Sequence, residues 1–99
     1  MSGLHHNERR DYIRMEMDAP LSFTREGAPG THTGRCIDMS HTGMRIETGT
    51  PLSPGERITV DLDLGNPKFN PMRAHLEVLR VVEHPDGTAT VSCKTLEIV

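Results

Sequence analysis

The segment Arg57-Ile58-Thr59-Val60-Asp61-Leu62-Asp63-Leu64 has an apolar residue at every second position. Side chains of a β-strand point alternately to its two faces, so this pattern predicts a strand with one buried and one solvated face. Pro54-Gly55 precedes the segment and Gly65-Asn66-Pro67 follows it, and both are typical of turns. Helical periodicity is hard to find elsewhere in the chain, which indicates an all-β protein.

Five further segments show a similar short alternation, and Gly, Pro, Asn and Asp separate them. We predict strands at about residues 19–25, 32–38, 44–48, 74–83 and 88–98. The sequence His84-Pro85-Asp86-Gly87 suits a hairpin turn that pairs the last two strands. Six strands in a short chain leave exposed sheet edges, and closure into a small barrel removes them. We therefore predict a six-stranded antiparallel β-barrel over residues 19–99, preceded by a flexible, polar N-terminal arm over residues 1–18.

Length and composition indicate one ordinary globular domain, because the chain has 99 residues, of which 34% are hydrophobic and 25% charged. The net charge of −3 argues against a protein that holds a nucleic acid polymer by broad electrostatic attraction. No apolar run approaches the roughly 20 residues that span a bilayer, and the N-terminus lacks the apolar stretch of a signal peptide. We therefore expect a cytoplasmic protein that does not insert into membranes.

Neither the cysteines nor the histidines have the spacing of a metal site. Cys36 and Cys93 lie in separate strand-like segments without a CxxC pattern, so we interpret them as buried free thiols rather than as zinc ligands or a disulfide. The six histidines are scattered along the chain, and no metal is expected.

A cluster of arginines, Arg9, Arg10 and Arg14, lies in the predicted arm. Arg10 and Arg14 are four residues apart, a spacing that lets both side chains converge on one ligand. The planar guanidinium group has parallel donors that match a phosphate or the O6 and N7 edge of guanine. The simpler interpretation is a solvated surface arm, because an RxxxR pattern often occurs by chance.

A second cluster is Asp38-Met39-Ser40-His41-Thr42-Gly43. In an extended chain, Asp38 and Ser40 share one face, and Met39 points to the other. A carboxylate is a natural acceptor for the N1–H and N2–H donors of guanine, and Gly43 allows either close approach to a flat base or a positive φ. Taken alone, the cluster is most simply a turn in which side chains bond their own backbone and Gly43 supplies the positive φ.

The paired patterns, RxxxR at Arg10 to Arg14 and DxSxxG at Asp38 to Gly43, resemble the two motifs of the PilZ domain family. The resemblance implies a six-stranded barrel that binds the bacterial second messenger cyclic di-GMP, without a further cofactor. Arg10 and Arg14 would hold phosphates and guanine edges, while Asp38, Ser40 and Gly43 would hold a base. In PilZ proteins an arginine just before RxxxR accompanies two mutually intercalated ligand molecules, so Arg9 favours two per site.

The expected function is therefore a cyclic di-GMP receptor that orders its arm on binding and signals to a downstream protein that the sequence does not identify. One alternative is a PilZ-like interaction module that binds no nucleotide. Another is a small barrel for single-stranded nucleic acid, which would need aromatic platforms and a basic groove. Catalysis is not expected, because residues as close together as Asp38, Ser40 and His41 cannot easily form a linear catalytic relay.

Overall fold

The computed structural model describes the backbone of residues 15–63 and 72–99, and side chains from residue 18 onward within those ranges. All regular structure there is β-strand: β1 (Met15–Arg25), β2 (Thr31–Ser40), β3 (Gly43–Thr48), β4 (Arg57–Leu62), β5 (Met72–Glu83) and β6 (Ala89–Ile98). All six predicted strands are present. The main difference is β1, which begins at Met15 rather than near residue 19, so residues 15–18 of the predicted flexible arm belong to this strand. The rest of the predicted arm, residues 1–14, lies outside the described ranges.

The six strands form a closed antiparallel barrel in the order β1-β2-β3-β6-β5-β4. Closure comes from β1, which pairs with β2 along one edge and with β4 along the other. The predicted pairing of β5 with β6 is confirmed, and Gly87 takes a φ of 93° in the turn between them. Each described strand therefore has two neighbours, and the barrel architecture predicted from the sequence is correct.

The barrel interior is packed with aliphatic side chains from every strand. The alternating residues of the opening segment, Ile58, Val60 and Leu62, are buried as predicted, and Phe23 is the largest fully buried side chain. Cys36 and Cys93 lie in the same core as free thiols, again as predicted. No helix of the described part is long and apolar enough to cross a membrane.

A β-bulge in β2 sets the direction of the residues that follow it. Cys36 pairs with Ile46 and Asp38 pairs with Arg45, so Ile37 is an extra residue without a partner. Directly opposed residues in an antiparallel pair point to the same face. Cys36 therefore points inward with the buried Ile46, whereas Asp38 points outward with the exposed Arg45.

The connections divide between the two ends of the barrel. The β2–β3 turn lies at one end, which we call the Ser40–Gly43 end. Met15 at the start of β1 pairs with Met39 there, and near the end of β6 the Thr95 N–H donates to the Thr42 carbonyl at 2.9 Å. The β1–β2, β3–β4 and β5–β6 connections lie at the opposite end, because the strands alternate in direction.

Candidate functional site

Asp38 is a carboxylate on the outer face of the barrel that is nevertheless only 4% exposed. Arg45, its cross-strand partner on β3, donates from Nε to Asp38 Oδ2 at 2.7 Å, and Arg45 Nη2 contacts the same oxygen. The Arg45 side chain itself is 44% exposed. Charge-assisted hydrogen bonds of this kind stabilise an ionised carboxylate, so the site contains a fixed acceptor beside an accessible cation.

Ser40 lies on the same outward face, two residues beyond Asp38. Met39 between them packs inward against the core, which confirms the alternation predicted for this motif. The Ser40 and Thr42 hydroxyls are 3.2 Å apart, and the Thr42 N–H lies 3.4 Å from Ser40 Oγ. The local side-chain bonding expected of a simple turn is therefore present, and it fixes the two hydroxyls relative to each other.

Gly43 closes the turn by pairing with Ser40, with His41 and Thr42 as the two loop residues. Its φ is not in the positive region, so that part of our interpretation is wrong. A Cβ atom at Gly43 would lie 2.1 Å from the carbonyl oxygen of Cys93 on β6. The glycine is required because β3 and β6 approach closely at this point.

A depression of about 460 Å³ lies beside the turn on the outer surface of β3, β6 and β5. Arg45 lines it and also contacts Asp38, so the depression is continuous with the carboxylate site. Its other polar lining comes mainly from the turn and from β6, including Ser92 and Lys94, and Leu79 adds an exposed apolar side chain. Among the residues that the structure describes, Lys94 has no ion-pair partner.

The three arginines predicted to bind ligand, Arg9, Arg10 and Arg14, lie outside the described residues. The position of β1 is still informative, because its first residue, Met15, directly follows Arg14 in the sequence. In the β1–β2 pairing, Met15 opposes Met39 and Glu16 opposes Asp38. The chain therefore enters the barrel directly beside the DxSxxG motif.

Sequence reasoning missed Arg45, which lies within the strand predicted at residues 44–48 but was not among the predicted site residues. The signal was available in the hairpin itself, because a two-residue turn between Ser40 and Gly43 opposes residues 39 and 44, and then 38 and 45. The structure adds two further facts to this register, namely the burial of Asp38 and the convergence of two Arg45 nitrogens on one oxygen. In the described part, no group of three or more His, Cys, Asp or Glu could hold a metal ion.

The family model that matches the chain is the PilZ domain, over residues 8–98, and the chain therefore belongs to the PilZ domain family. PilZ domains are regulatory binding modules rather than enzymes. The family inferred from the two sequence motifs is confirmed, and the match includes both of them. No curated protein matches the chain.

Several solved structures share the fold. The Bacillus subtilis inhibitor of motility MotI/DgrA superimposes with a TM-score of 0.71 at 14% identity, covering 88% of this chain and 42% of that one. The PilZ domain of YcgR from Escherichia coli, solved with c-di-GMP, gives a TM-score of 0.66 at 19% identity, covering 86% of this chain and 76% of that one. This chain thus spans less than half the length of the MotI/DgrA chain.

Proposed function

We propose that this protein is a cytoplasmic bacterial receptor for cyclic di-GMP that signals to a partner protein. The observation that carries the proposal is the outward, buried and ion-paired Asp38, with the Ser40 hydroxyl on the same face of a PilZ barrel. Two donors on the Watson–Crick edge of guanine, N1–H and N2–H, match such a carboxylate. The solved relative that contains c-di-GMP supports this choice of ligand.

In the proposed complex, Asp38 and Ser40 bind a guanine while Gly43 keeps the strand backbone in place beneath it. Arg10 and Arg14 bind phosphates and a guanine edge from the arm. The pairing of Met15 and Glu16 with Met39 and Asp38 supports this arrangement, since it brings the residues that follow Arg14 to the edge of the site. Arg9 provides the additional cation for a second, intercalated ligand molecule.

The proposed output is a change in the arm. Ligand that contacts both the barrel and the arm favours a conformation in which the arm is ordered against the barrel. The ordered arm changes the surface that a partner meets, and the ligand leaves chemically unchanged. The partner is a protein, and neither a nucleic acid polymer nor a membrane is part of the proposal.

The test is a calorimetric titration of cyclic di-GMP, with GTP and cyclic GMP as control ligands. Good bidentate arginine contacts to guanine contribute about 1–3 kcal/mol each, so Arg10→Ala and Arg14→Ala are expected to weaken binding about tenfold or more. Arg57→Ala is the matched control, because Arg57 is exposed and begins β4 at the opposite end of the barrel. It should bind as the wild type does.

Stoichiometry tests the assignment of Arg9. Two ligand molecules per chain are expected for the wild type and one for Arg9→Ala. Wild-type protein that gives no binding heat and no thermal stabilisation by cyclic di-GMP would overturn the receptor assignment, and a PilZ interaction module without a nucleotide would replace it.

A further inference from the structure

The pair formed by Asp38 and Arg45 provides more than a simple acceptor for a base. We infer that Arg45 is a positioning residue that holds Asp38 in its ionised form and thereby makes the site select guanine over adenine. This inference rests on the proposed function, since it concerns which cyclic dinucleotide the same site accepts. Arg45 lies outside both the RxxxR and the DxSxxG motifs.

The geometry of the pair is set by the barrel rather than by flexible surface side chains. Asp38 and Arg45 are directly opposed on β2 and β3, just beyond the bulge at Ile37 that turns the carboxylate outward. Two nitrogens of the planar guanidinium, Nε and Nη2, converge on the single oxygen Oδ2. Both donors act on the same oxygen, so the positive charge of the guanidinium is held directly against the carboxylate.

Burial makes the charge state of Asp38 dependent on its neighbours. A carboxylate that is only 4% exposed loses most of its hydration, and desolvation favours the protonated form. Arg45 on β3 opposes this effect. On β1 the residue opposite is Glu16, and on β2 itself the nearby titratable group is the Cys36 thiol, which donates to the Asp38 carbonyl at 3.4 Å. Arg45 is thus a cation that contacts the buried carboxylate directly across the β2–β3 pair.

The charge state decides which purine fits. Guanine presents two donors, N1–H and N2–H, and an ionised carboxylate accepts both. Adenine presents a donor at N6 and an acceptor at N1, and a carboxylate oxygen repels that acceptor. A protonated carboxyl group instead donates its O–H to adenine N1 and accepts from N6–H. Loss of Arg45 therefore weakens guanine binding and admits adenine.

The experiment compares cyclic di-GMP and cyclic di-AMP by calorimetry at pH 6, 7 and 8. In wild-type protein we expect cyclic di-GMP affinity to be nearly constant over this range and cyclic di-AMP to bind poorly. In Arg45→Gln, cyclic di-GMP affinity should fall about tenfold or more at pH 6 and recover towards pH 8. Its preference for cyclic di-GMP over cyclic di-AMP at pH 6 should also fall about tenfold or more.

Two further variants separate charge from structure. Arg45→Lys keeps a cation and should retain most of the preference and a nearly flat pH profile. Arg35→Gln removes an exposed ion pair between β2 and β1. Arg35 Nε lies 3.0 Å from Asp18 Oδ1, and both side chains are more than half exposed. Because that pair lies in water, its loss should leave the affinity, the preference and the pH profile unchanged.

Arg45→Gln that keeps the wild-type preference and pH profile would overturn the inference. So would an equal loss of both ligands at every pH, which indicates only a structural role. A carboxyl NMR titration of Asp38 needs no ligand: it should titrate at a higher pH in Arg45→Gln than in wild type, and an unchanged titration also overturns the inference. Wild-type protein that binds no cyclic di-GMP would instead refute the proposed function, and the NMR titration would then decide the role of Arg45.

Discussion

At Gly43, a single hydrogen atom is the largest side chain that the barrel accommodates. The carbonyl oxygen of Cys93 lies 2.1 Å from where a Cβ would stand, and it is a backbone atom of the paired strand. Gly49 has no positive φ and no atom within 4 Å of its own Cβ position. Gly43 therefore cannot accept a methyl group unless the backbone shifts, whereas Gly49 has space for one.

We predict that Gly43→Ala lowers the free energy of unfolding by about 1–3 kcal/mol, because β3 and β6 must separate to admit the methyl group. Gly49→Ala is the control and should change it by about 0.5 kcal/mol or less. Urea denaturation followed by circular dichroism measures both. Equal stabilities of the two variants would contradict the close approach of the strands.

The two buried thiols predict how stability depends on alkaline pH. Burial raises the pKa of Cys36 to about 11, with the Asp38 charge as a second cause, and burial raises the pKa of Cys93 to about 12, with Cys36 as the second cause. In an unfolded chain a thiol ionises near pH 8.5. Above that pH the unfolded state releases protons that the folded state keeps, so stability falls as pH rises.

We predict that the free energy of unfolding falls by about 1.4 kcal/mol per pH unit for each thiol between about pH 9 and 11. The double variant Cys36→Ala/Cys93→Ala removes this contribution, so its stability should fall less steeply although it is lower at pH 7. Urea titrations at several pH values measure the two slopes. Parallel slopes would show that these thiols ionise as easily in the barrel as in the unfolded chain.

Among the elements, the strands follow closely from the sequence, whereas their irregularities do not. Period-two alternation located all six strands, including Ile58, Val60 and Leu62 on the inner face of β4. No feature of the sequence predicts the bulge at Ile37, because one extra residue in β2 does not change the residue types of a strand. The early start of β1 was missed because residues 15–18, in which two methionines alternate with two acidic residues, directly follow the charged segment and were assigned to the arm.

For the site, the sequence located the DxSxxG face correctly and misjudged one of its residues. Asp38 and Ser40 share a face as predicted, since simple alternation operates beyond the bulge. The role of Gly43 depends on β6, which is distant in sequence, and no local pattern reports that contact. The partnership of Asp38 with Arg45 required the hairpin register in addition to the motif.

The β5–β6 hairpin depends on one turn in which a glycine and a carboxylate act together. Gly87 has a φ of 93°, and Asp86 Oδ1 accepts from the Thr88 N–H at 3.0 Å and from the Thr88 hydroxyl at 2.7 Å. These bonds with Thr88 lower the pKa of the exposed Asp86 carboxyl. The turn joins the two strands that extend from the far end of the barrel to the site.

We predict that Gly87→Ala destabilises the protein by about 1–3 kcal/mol, because a side chain at that φ is strained although space is available for it. The ionised Asp86 carboxyl contributes a small amount to the free energy of unfolding. This contribution is present above the unfolded pKa of the carboxyl and is lost as pH falls through its lowered folded pKa. Asp86→Asn should remove it. Thermal melts at pH 3 and pH 7 measure both effects. Wild-type melting of Gly87→Ala would contradict the backbone conformation of the turn.

At the scale of the whole molecule, closure gives every described strand two hydrogen-bonded neighbours. An open sheet can lose an edge strand first, whereas removing any strand of a closed barrel exposes two edges and the common core. Cys36 on β2 and Cys93 on β6 are both part of that core. We therefore expect the barrel to unfold as one cooperative unit.

The prediction is that loss of sheet signal by circular dichroism and exposure of the two thiols to a thiol reagent occur at the same urea concentration. Coincident transitions from independent probes are the usual test of two-state unfolding. Thiols that react at clearly lower urea than the sheet signal changes would instead indicate a barrel that opens locally at β2 or β6.

The division of the connections between the two ends has a practical consequence for building reporters from this protein. The β1–β2 and β5–β6 turns, with Gly30 and Gly87, lie at the end remote from Asp38. A fluorescent label or inserted domain there leaves access to the proposed ligand site open. A fusion joined close to the start of β1 or the end of β6 instead lies beside Ser40 and Thr42, where it competes for the same space.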